Sequence, residues 1–437
     1  MMDNKIARRI VSLLTRVIVA VCSGGSLSAF DLPEYAPSFE PYDHPHVTTT
    51  DVTYVSSGWL RLATPWSYQL LDFQNRQTDK ELTILQERSA RSWHDRFVLT
   101  GGQARLSFLA ASTNTADKFP YLGRFPTDFT GDVATDARLL QANSHITAGV
   151  TPWATVYGEL LFSDVFTFDS FDQGSLQVRQ AYAVFGNLDV APWYAYIGKK
   201  NVGFGDMSTL SPFTQSAVWH YFSALAEGVG VGYHDDMFDL TFAGINGGRG
   251  IRVADSTSRG TLNNFVANAA VTLGNAETCQ LRLGGGFLRG TIYDGLAAEH
   301  LDTNQFGDFF NSAWDVNFRL DIGRLSLAGE FVSTIEPWPV TNERVSAYRA
   351  EAAWSLATAF PSRVSVSWSE GRQGPSGSEF EFNRQLVVGY GAWLHPSAFA
   401  SLEYVRSTGF APLLGITTAS DRNVAQDSLV FGMNLVY

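Results

Sequence analysis

Charged side chains recur at every second position through long alternating stretches of this chain, and that spacing sets what chemistry it can do. Arg105, His145, Glu159, Arg179, Glu227, Arg282, Asp315, Arg319, Asp321, Glu330, Arg349, Glu351, Arg363 and Glu403 each fall on the polar face of such a stretch. Both signs are present. If those faces line a lumen, they form a mixed-charge path, not the uninterrupted ladder of Lys and Arg that hands on a multivalent anion. Such a path suits a zwitterionic or chelated solute, or a weakly selective pore. The competing reading is that these residues pair across strands and stiffen the wall. The positions expected to border a solute's route are Arg105, Arg179, Lys199, Lys200, Arg282, Asp315, Arg319, Glu330, Arg349 and Glu351.

Other chemistries fit less well. Ser144 and His145 are adjacent, and adjacent residues of a strand point to opposite faces, so they cannot form a hydrolytic dyad together. His44 and His46, with Asp43 beside them, permit weak metal binding in an extended segment, but a solvated linker explains them as well. Gly284-Gly285-Gly286 and the alternating Gly228, Gly230 and Gly232 lack the strand-to-helix context of a phosphate loop and read as barrel bends. No catalytic residue, metal site or cofactor is expected.

The elements that must position these side chains are strands. The segment 427–437 reads D-S-L-V-F-G-M-N-L-V-Y, with Leu429, Phe431, Met433, Leu435 and Tyr437 on one face and Ser428, Val430, Gly432, Asn434 and Val436 on the other. Phe431, Met433, Leu435 and the aromatic Tyr437 look like the signal read by the barrel assembly machinery of bacterial outer membranes. About sixteen such segments of roughly ten residues follow Arg96. Short turns alternate with long Gly-, Ser-, Thr-, Asp- and Asn-rich loops at 110–136, 202–224, 247–261, 291–312, 371–383 and 408–425. In 313–322, Trp314, Val316, Phe318, Leu320 and Ile322 would face lipid, and Asp315, Asn317, Arg319 and Asp321 the lumen. The expected fold is all-β: an antiparallel transmembrane β-barrel of about sixteen strands behind a short N-terminal periplasmic segment. A soluble β-sandwich would also alternate, but it explains neither the terminal aromatic nor the loop asymmetry.

Composition agrees. The chain has 437 residues, 45% of them apolar and 13% aromatic, with 11 Trp, yet no mature stretch long and apolar enough for a spanning helix. A net charge of -12 excludes nucleic acid as a partner and suits outer loops meeting divalent cations at a lipopolysaccharide surface. Residues 1–29 read as a signal peptide, with basic Lys5, Arg8, Arg9 and Arg16, an apolar core at 17–21, and cleavage after Ser28 or Ala29. Cys22 lies within it, so the mature chain would hold only Cys279 and no intramolecular disulfide is expected. Residues 30–95 are expected to be a periplasmic linker. Within it Thr78-Asp79-Lys80-Glu81 forms a capping box and opens a short helix that covers the mouth, pairs with copies of itself, or is a solvated tether. Residues 96–437 are the barrel. The address is the outer membrane of a Gram-negative bacterium, with its lipids as solvent.

The stretch R-Q-A-Y-A-V-F-G-N-L at 179–188, then Y-I-G-K-K-N-V-G-F-G at 196–205 and Ser211-Pro212-Phe213-Thr214, resembles a family signature. It is similar to the LbtU family of siderophore porins, outer-membrane proteins linked to uptake of the iron carrier legiobactin, and more distantly to phosphate-selective porins. Gly228 to Tyr233, with Phe242 and Asn246-Gly247, looks like the family's next hairpin. Gly203 stands where the family usually has Pro. The match covers about 70 residues, the rest matching as architecture only. It implies a single barrel and a ferric siderophore as cargo. The 202–224 loop, hinged at Gly203 and Gly205, is expected to fold inward and form a constriction through Phe204, Asp206 and Phe213, with Lys199, Lys200 and Arg179 at its rim. A general porin and a non-conducting barrel acting in adhesion or surface organisation are the alternatives. A homotrimer is common in this architecture, although the apolar outer faces show no obvious interface.

Overall fold

Period-two alternation becomes strands wherever the expected stretches lie. The computed structural model describes residues 60–62, 64–90, 96–120, 130–163, 175–246, 249–250, 261–276, 278–293, 310–358, 360–378, 381–410 and 422–437. The expected signal peptide with Cys22, and the lead-in with Asp43, His44 and His46, lie outside the described residues.

The elements in chain order begin with β1 (Leu60–Leu62), α1 (Thr64–Leu71) and α2 (Lys80–Ala90). Next come β2 (Phe97–Thr113), β3 (Val133–Thr151), β4 (Ala154–Ser163), β5 (Ser175–Gly186) and β6 (Trp193–Asn201). A short helix α3 (Ala217–Phe222) precedes β7 (Ala224–His234), β8 (Phe238–Ile245), β9 (Arg249–Gly250), β10 (Asn264–Asn275) and β11 (Cys279–Leu288). The chain closes with β12 (Ala313–Ile322), β13 (Leu325–Thr334), β14 (Ser346–Leu356), β15 (Ser362–Arg372), β16 (Asn383–His395), β17 (Ala398–Gly409) and β18 (Ala425–Val436). Among the described residues, sixteen strands, β2 to β8 and β10 to β18, form one antiparallel barrel. It closes where β18 meets β2, with Phe431 opposite Phe108, and passes from β8 to β10 with Phe242 opposite Ala267. Tyr437 and Gly102 exchange backbone hydrogen bonds across that seam at 2.9 and 3.0 Å. Among the described residues each of these sixteen strands has a neighbour on both sides, which is what a hydrocarbon surrounding demands of a sheet.

The outer face carries the apolar half of the pattern. Ile197, Val231, Phe242, Val316, Val388, Leu429 and Phe431 are all exposed. Trp153, Trp193, Trp354 and Tyr437 stand exposed near the short-turn end, where amphipathic rings favour the interface. On β12 the expected register holds: Trp314 and Val316 face out, while Asp315, Arg319 and Asp321 are buried inside. The terminal residues Phe431, Leu435 and Tyr437 are exposed on the outer face and Met433 alternates with them.

Two expectations about the inner face need correction. Lys199 and Lys200 cannot share a face. Lys200 is buried with Tyr194 and Tyr196, whereas Lys199 alternates with the exposed Trp193 and Ile197 on the outer side. Its register partner Glu227 lies outside with it, next to the exposed Val229 and Val231. The N-terminal segment also departs from a periplasmic linker, because the described part, 64–90, lies inside the barrel. Ser67, Trp66, Leu70, Ile84 and Leu85 are almost wholly buried. The capping box is not formed as expected. Asp79 O accepts the N–H groups of Leu82 and Thr83, while the Thr78 hydroxyl donates to Gly205 O at 3.1 Å.

Candidate functional site

The inner wall is polar, as the alternation demands, but two inserts fill it. One is a helical hairpin, α1 and α2 joined by residues 72–79. The other is the loop 202–216 with α3, descending from the long-loop end. Phe204, Met207, Leu210, Phe213 and Trp219 are each 5% exposed or less, so the loop is packed inside and not draped over the rim. The inward fold expected of this loop is therefore present, with Phe204 and Phe213 as apolar anchors.

Three wall carboxylates hold the loop by its backbone. Glu330 on β13 accepts the N–H groups of Asp206 (2.9 Å) and Met207 (3.1 Å). Glu351 on β14 accepts Leu210 N–H at 2.9 Å and the Thr209 hydroxyl at 2.6 Å. Glu403 on β17 accepts Phe213 N–H at 2.8 Å and Thr214 N–H at 3.1 Å. Ionised carboxylates make strong acceptors for loop amides that no strand partner reaches. Arg349 balances part of the charge: its guanidinium donates to Glu330 at 2.8 Å and to Glu351 at 2.6 Å, and it pairs with Asp206. Asp315 lies beside this group, its carboxyl within 3.2 Å of where a Cβ at Gly205 would stand. Gly205 has φ +68, a conformation that other residues reach only with strain.

The tip of the loop sits in a notch made by absent side chains. A Cβ at Gly389 or Gly391 would come within 2.7 or 2.9 Å of the Pro212 ring, and one at Gly432 within 2.3 Å of Phe213. All three glycines are on inward positions, where a polar residue is otherwise the rule. Phe213 then packs with the inward Leu109, Val387, Val405 and Val430.

The hairpin is tied to the opposite arc of the wall. Lys200 and Glu81 form a buried ion pair at 2.8 Å, and Lys200 also donates to Thr78 O at 2.9 Å. Ser67 bonds His145 at 3.0 Å, and Trp66 donates to Thr147 at 3.2 Å. His145 thus faces inward and meets a serine, but the distant Ser67 and not Ser144. Within the hairpin, Lys80 donates to the carbonyls of Gln69 (2.7 Å) and Asp72 (3.1 Å). Arg105 donates to Phe213 O at 3.0 Å and stands over the Phe73 and Phe213 rings, so it touches both inserts. Arg179 reaches the lumen through a bulge: Glu159 pairs with Gln180 and Leu160 with Val178, so Arg179 and Gln180 both turn in. Arg179 lies 3.8 Å from Glu159, Arg282 pairs with Asp239 at 2.5 Å, and Arg319 with Asp321 at 2.8 Å.

The inserts also grip each other. Gln74 donates to Phe213 O at 2.8 Å, Thr209 N–H to Gln74 O at 2.8 Å, and Arg76 N–H to the Ser208 hydroxyl at 3.1 Å, with Phe73 edge-on to Trp219. Sequence reasoning placed most of the wall residues and anticipated the loop. It missed the hairpin's place. The surviving signal was the run of apolar residues Leu70, Leu71, Phe73, Leu82 and Leu85, too many for a solvated tether.

A closed antiparallel barrel with an apolar outer belt and a polar interior filled by its own inserts is a porin-type barrel of the Gram-negative outer membrane. No family model matches the sequence, and no curated protein matches it. Among solved structures, the anion-selective porin from Comamonas acidovorans is similar with a TM-score of 0.51 and 10% identity, over 78% of this chain and 100% of that one. A high-pH structure of Pseudomonas putida OprB is similar with a TM-score of 0.51 and 10% identity, over 83% of this chain and 99% of that one. At such identities the likeness is one of fold.

Proposed function

We propose that this protein is an outer-membrane channel for a small hydrophilic solute, closed by two inserts that hydrogen bonds and ion pairs hold in place. The observation that carries this reading is the wall itself. A barrel that only needed filling would be more cheaply filled with apolar side chains, since burying charge costs several kcal/mol per ion before pairing. Here Glu330, Glu351, Glu403, Arg105, Arg179, Arg349 and Lys200 line the interior. Such a wall suits water once the inserts shift. Of the stretches that resemble the siderophore porins, 202–205 and the Ser211–Thr214 tip lie in the descending insert, and 196–201 is the end of β6 beside it. A ferric siderophore is the cargo this resemblance supports. Insertion by the barrel assembly machinery and assembly as a homotrimer belong to the same proposal.

The filled interior favours a second reading, a non-conducting barrel whose outer loops act at the surface. Single-channel recording in planar bilayers separates the two. The full chain should conduct in bursts that a ferric siderophore blocks in a dose-dependent way, and a variant lacking 206–216 should conduct steadily and more. Silence from both proteins would remove the channel reading, and a current indifferent to the siderophore would leave a general porin.

A further inference from the structure

Three arginines stand together on the outside of the barrel, where the apolar belt ends at the long-loop side. Arg372 on β15, Arg384 on β16 and Arg406 on β17 belong to adjacent strands. Arg372 alternates with the exposed Trp368, Arg384 with Val388 and Tyr390, and Arg406 with Leu402 and Tyr404, so all three face outward. Their side chains are 57%, 38% and 48% exposed. Long loops mark the outer side of such barrels, and the rings of Trp368 and Tyr404 beside the arginines mark headgroup depth.

The charges there do not balance. Arg372 and Arg384 hold one carboxylate between them: Nε of Arg372 donates to Glu370 Oε1 at 2.8 Å and Nε of Arg384 to Oε2 at 2.7 Å. The Tyr348 hydroxyl adds a third hydrogen bond at 3.1 Å, and Glu370 is only 4% exposed beneath them. The Arg384 guanidinium also lies over the Phe382 ring at 4.2 Å. Both guanidiniums are thus fixed through Nε, and among the described residues their Nη groups make no hydrogen bond. Arg406 pairs with its register partner Asp427 at 3.1 Å. In the loop above, Arg422 and Glu381 balance each other at 3.4 Å. Three cations therefore meet two carboxylates, one of them covered, on a surface that faces the outer leaflet.

We propose that this cluster binds a phosphate group of the outer leaflet's lipopolysaccharide. A guanidinium held at Nε presents its Nη groups as a fork, and forked donors match phosphate oxygens. Arg372 and Arg384 converge on one carboxylate, so their outer edges stand close enough to share one phosphate. Val366, Val388, Leu402 and Leu429, exposed on the same strip below, give the acyl chains a surface to lie on. The lipid would then cover the β15–β17 arc.

The inference rests on the outer-membrane address and not on conduction. The full chain in detergent is titrated with diphosphoryl lipid A, with the same lipid freed of phosphate, and with inorganic phosphate, and bound lipid is counted by native mass spectrometry. The phosphorylated lipid should bind saturably, and the other two at least about tenfold more weakly. Arg372→Gln leaves Arg384 on Glu370 and should weaken lipid binding about tenfold. The triple variant Arg372→Gln, Glu370→Gln and Arg384→Gln strands no buried charge and should bind like the parent with phosphate-free lipid. Arg289→Gln, an exposed arginine on β11's outer end, should change nothing. Equal binding of the phosphate-free lipid, an equal loss in Arg289→Gln, or an unaltered Arg372→Gln would overturn the site. Inorganic phosphate binding as tightly as the lipid would overturn it too, by showing an ion site in place of a lipid site.

Discussion

Glu403, on strand β17, accepts the backbone N–H of Phe213 at 2.8 Å across 190 residues of sequence, and this contact pins the loop tip to the wall. The same carboxylate takes Thr214 N–H and the Thr214 hydroxyl. Glu403→Leu strips these donors of their acceptor, at roughly 1–3 kcal/mol for each group left buried and unpaired. The tip should then leave its seat. In planar bilayers the variant is expected to dwell longer in conducting levels than the parent. Indistinguishable traces would mean that the Phe213 ring, not the carboxylate, holds the tip.

The notch can be tested from the other side. Gly432→Ala places a methyl group about where Phe213 packs, and overpacking of this kind costs typically 1–3 kcal/mol. The wall's own neighbour at that point is the Ser401 hydroxyl, 2.6 Å from the added Cβ and able to rotate away, so the heat-modifiable band of the folded barrel on electrophoresis should persist. Conductance should rise as it does in Glu403→Leu. The double variant Gly432→Ala with Phe213→Ala relieves the clash and should restore closure. Failure of that rescue would show that the glycine serves strand geometry and not the loop.

The fold was legible because period two is a strong signal when one face meets lipid. A one-residue slip on β12 would carry Asp315, Arg319 and Asp321 into the bilayer, so the register follows from residue type alone. That the 202–216 loop turns inward was legible from its length and from Gly205. Lys199 departs from its expected place because neighbouring strand residues point to opposite faces, so only one of the two lysines can turn inward, and it is Lys200. The hairpin was misread because its pattern, Leu82 and Leu85 among Lys80, Glu81 and Arg88, is that of a helix facing water on one side. In the barrel that polar side meets Lys200, Thr151 and Thr155 instead. Helical periodicity distinguishes two faces but does not say what covers the polar one. Nor could sequence reveal that glycines 389, 391 and 432, spread over two strands, converge on one proline–phenylalanine pair.

The hairpin's tether predicts a double-mutant cycle. Lys200 and Glu81 are 3% and 1% exposed at the side chain and 2.8 Å apart. Removing one partner of a buried pair leaves an uncompensated charge, at about 3–5 kcal/mol, whereas replacing both with apolar residues is often close to neutral. Lys200→Met should therefore loosen α2, seen as faster hydrogen exchange of its amides. Adding Glu81→Leu should restore most of the protection. Additive losses would place the stabilisation elsewhere, in the Lys80 and Arg88 contacts.

The hairpin should also respond to acid through Asp79. Burial alone would raise its carboxyl, but Arg76, which donates to Oδ2 from Nε at 3.1 Å and from Nη2 at 2.9 Å, outweighs burial and holds it down at about 2. A carboxyl held below its ordinary value of 3.8 stabilises the folded hairpin fully above that value and ceases to do so as pH falls through the lower one. Arg76 carries the effect onward, because its Nη1 donates to Gln86 at 2.6 Å and its backbone N–H to Ser208 in the other insert. Conductance recorded between about pH 5 and pH 2 should climb as this window is crossed. Asp79→Asn has already lost the ion pair, so it should start higher and rise less steeply, with the wall carboxylates supplying what slope remains. Superposable curves for the two proteins would show that the Arg76 turn does not hold the inserts together.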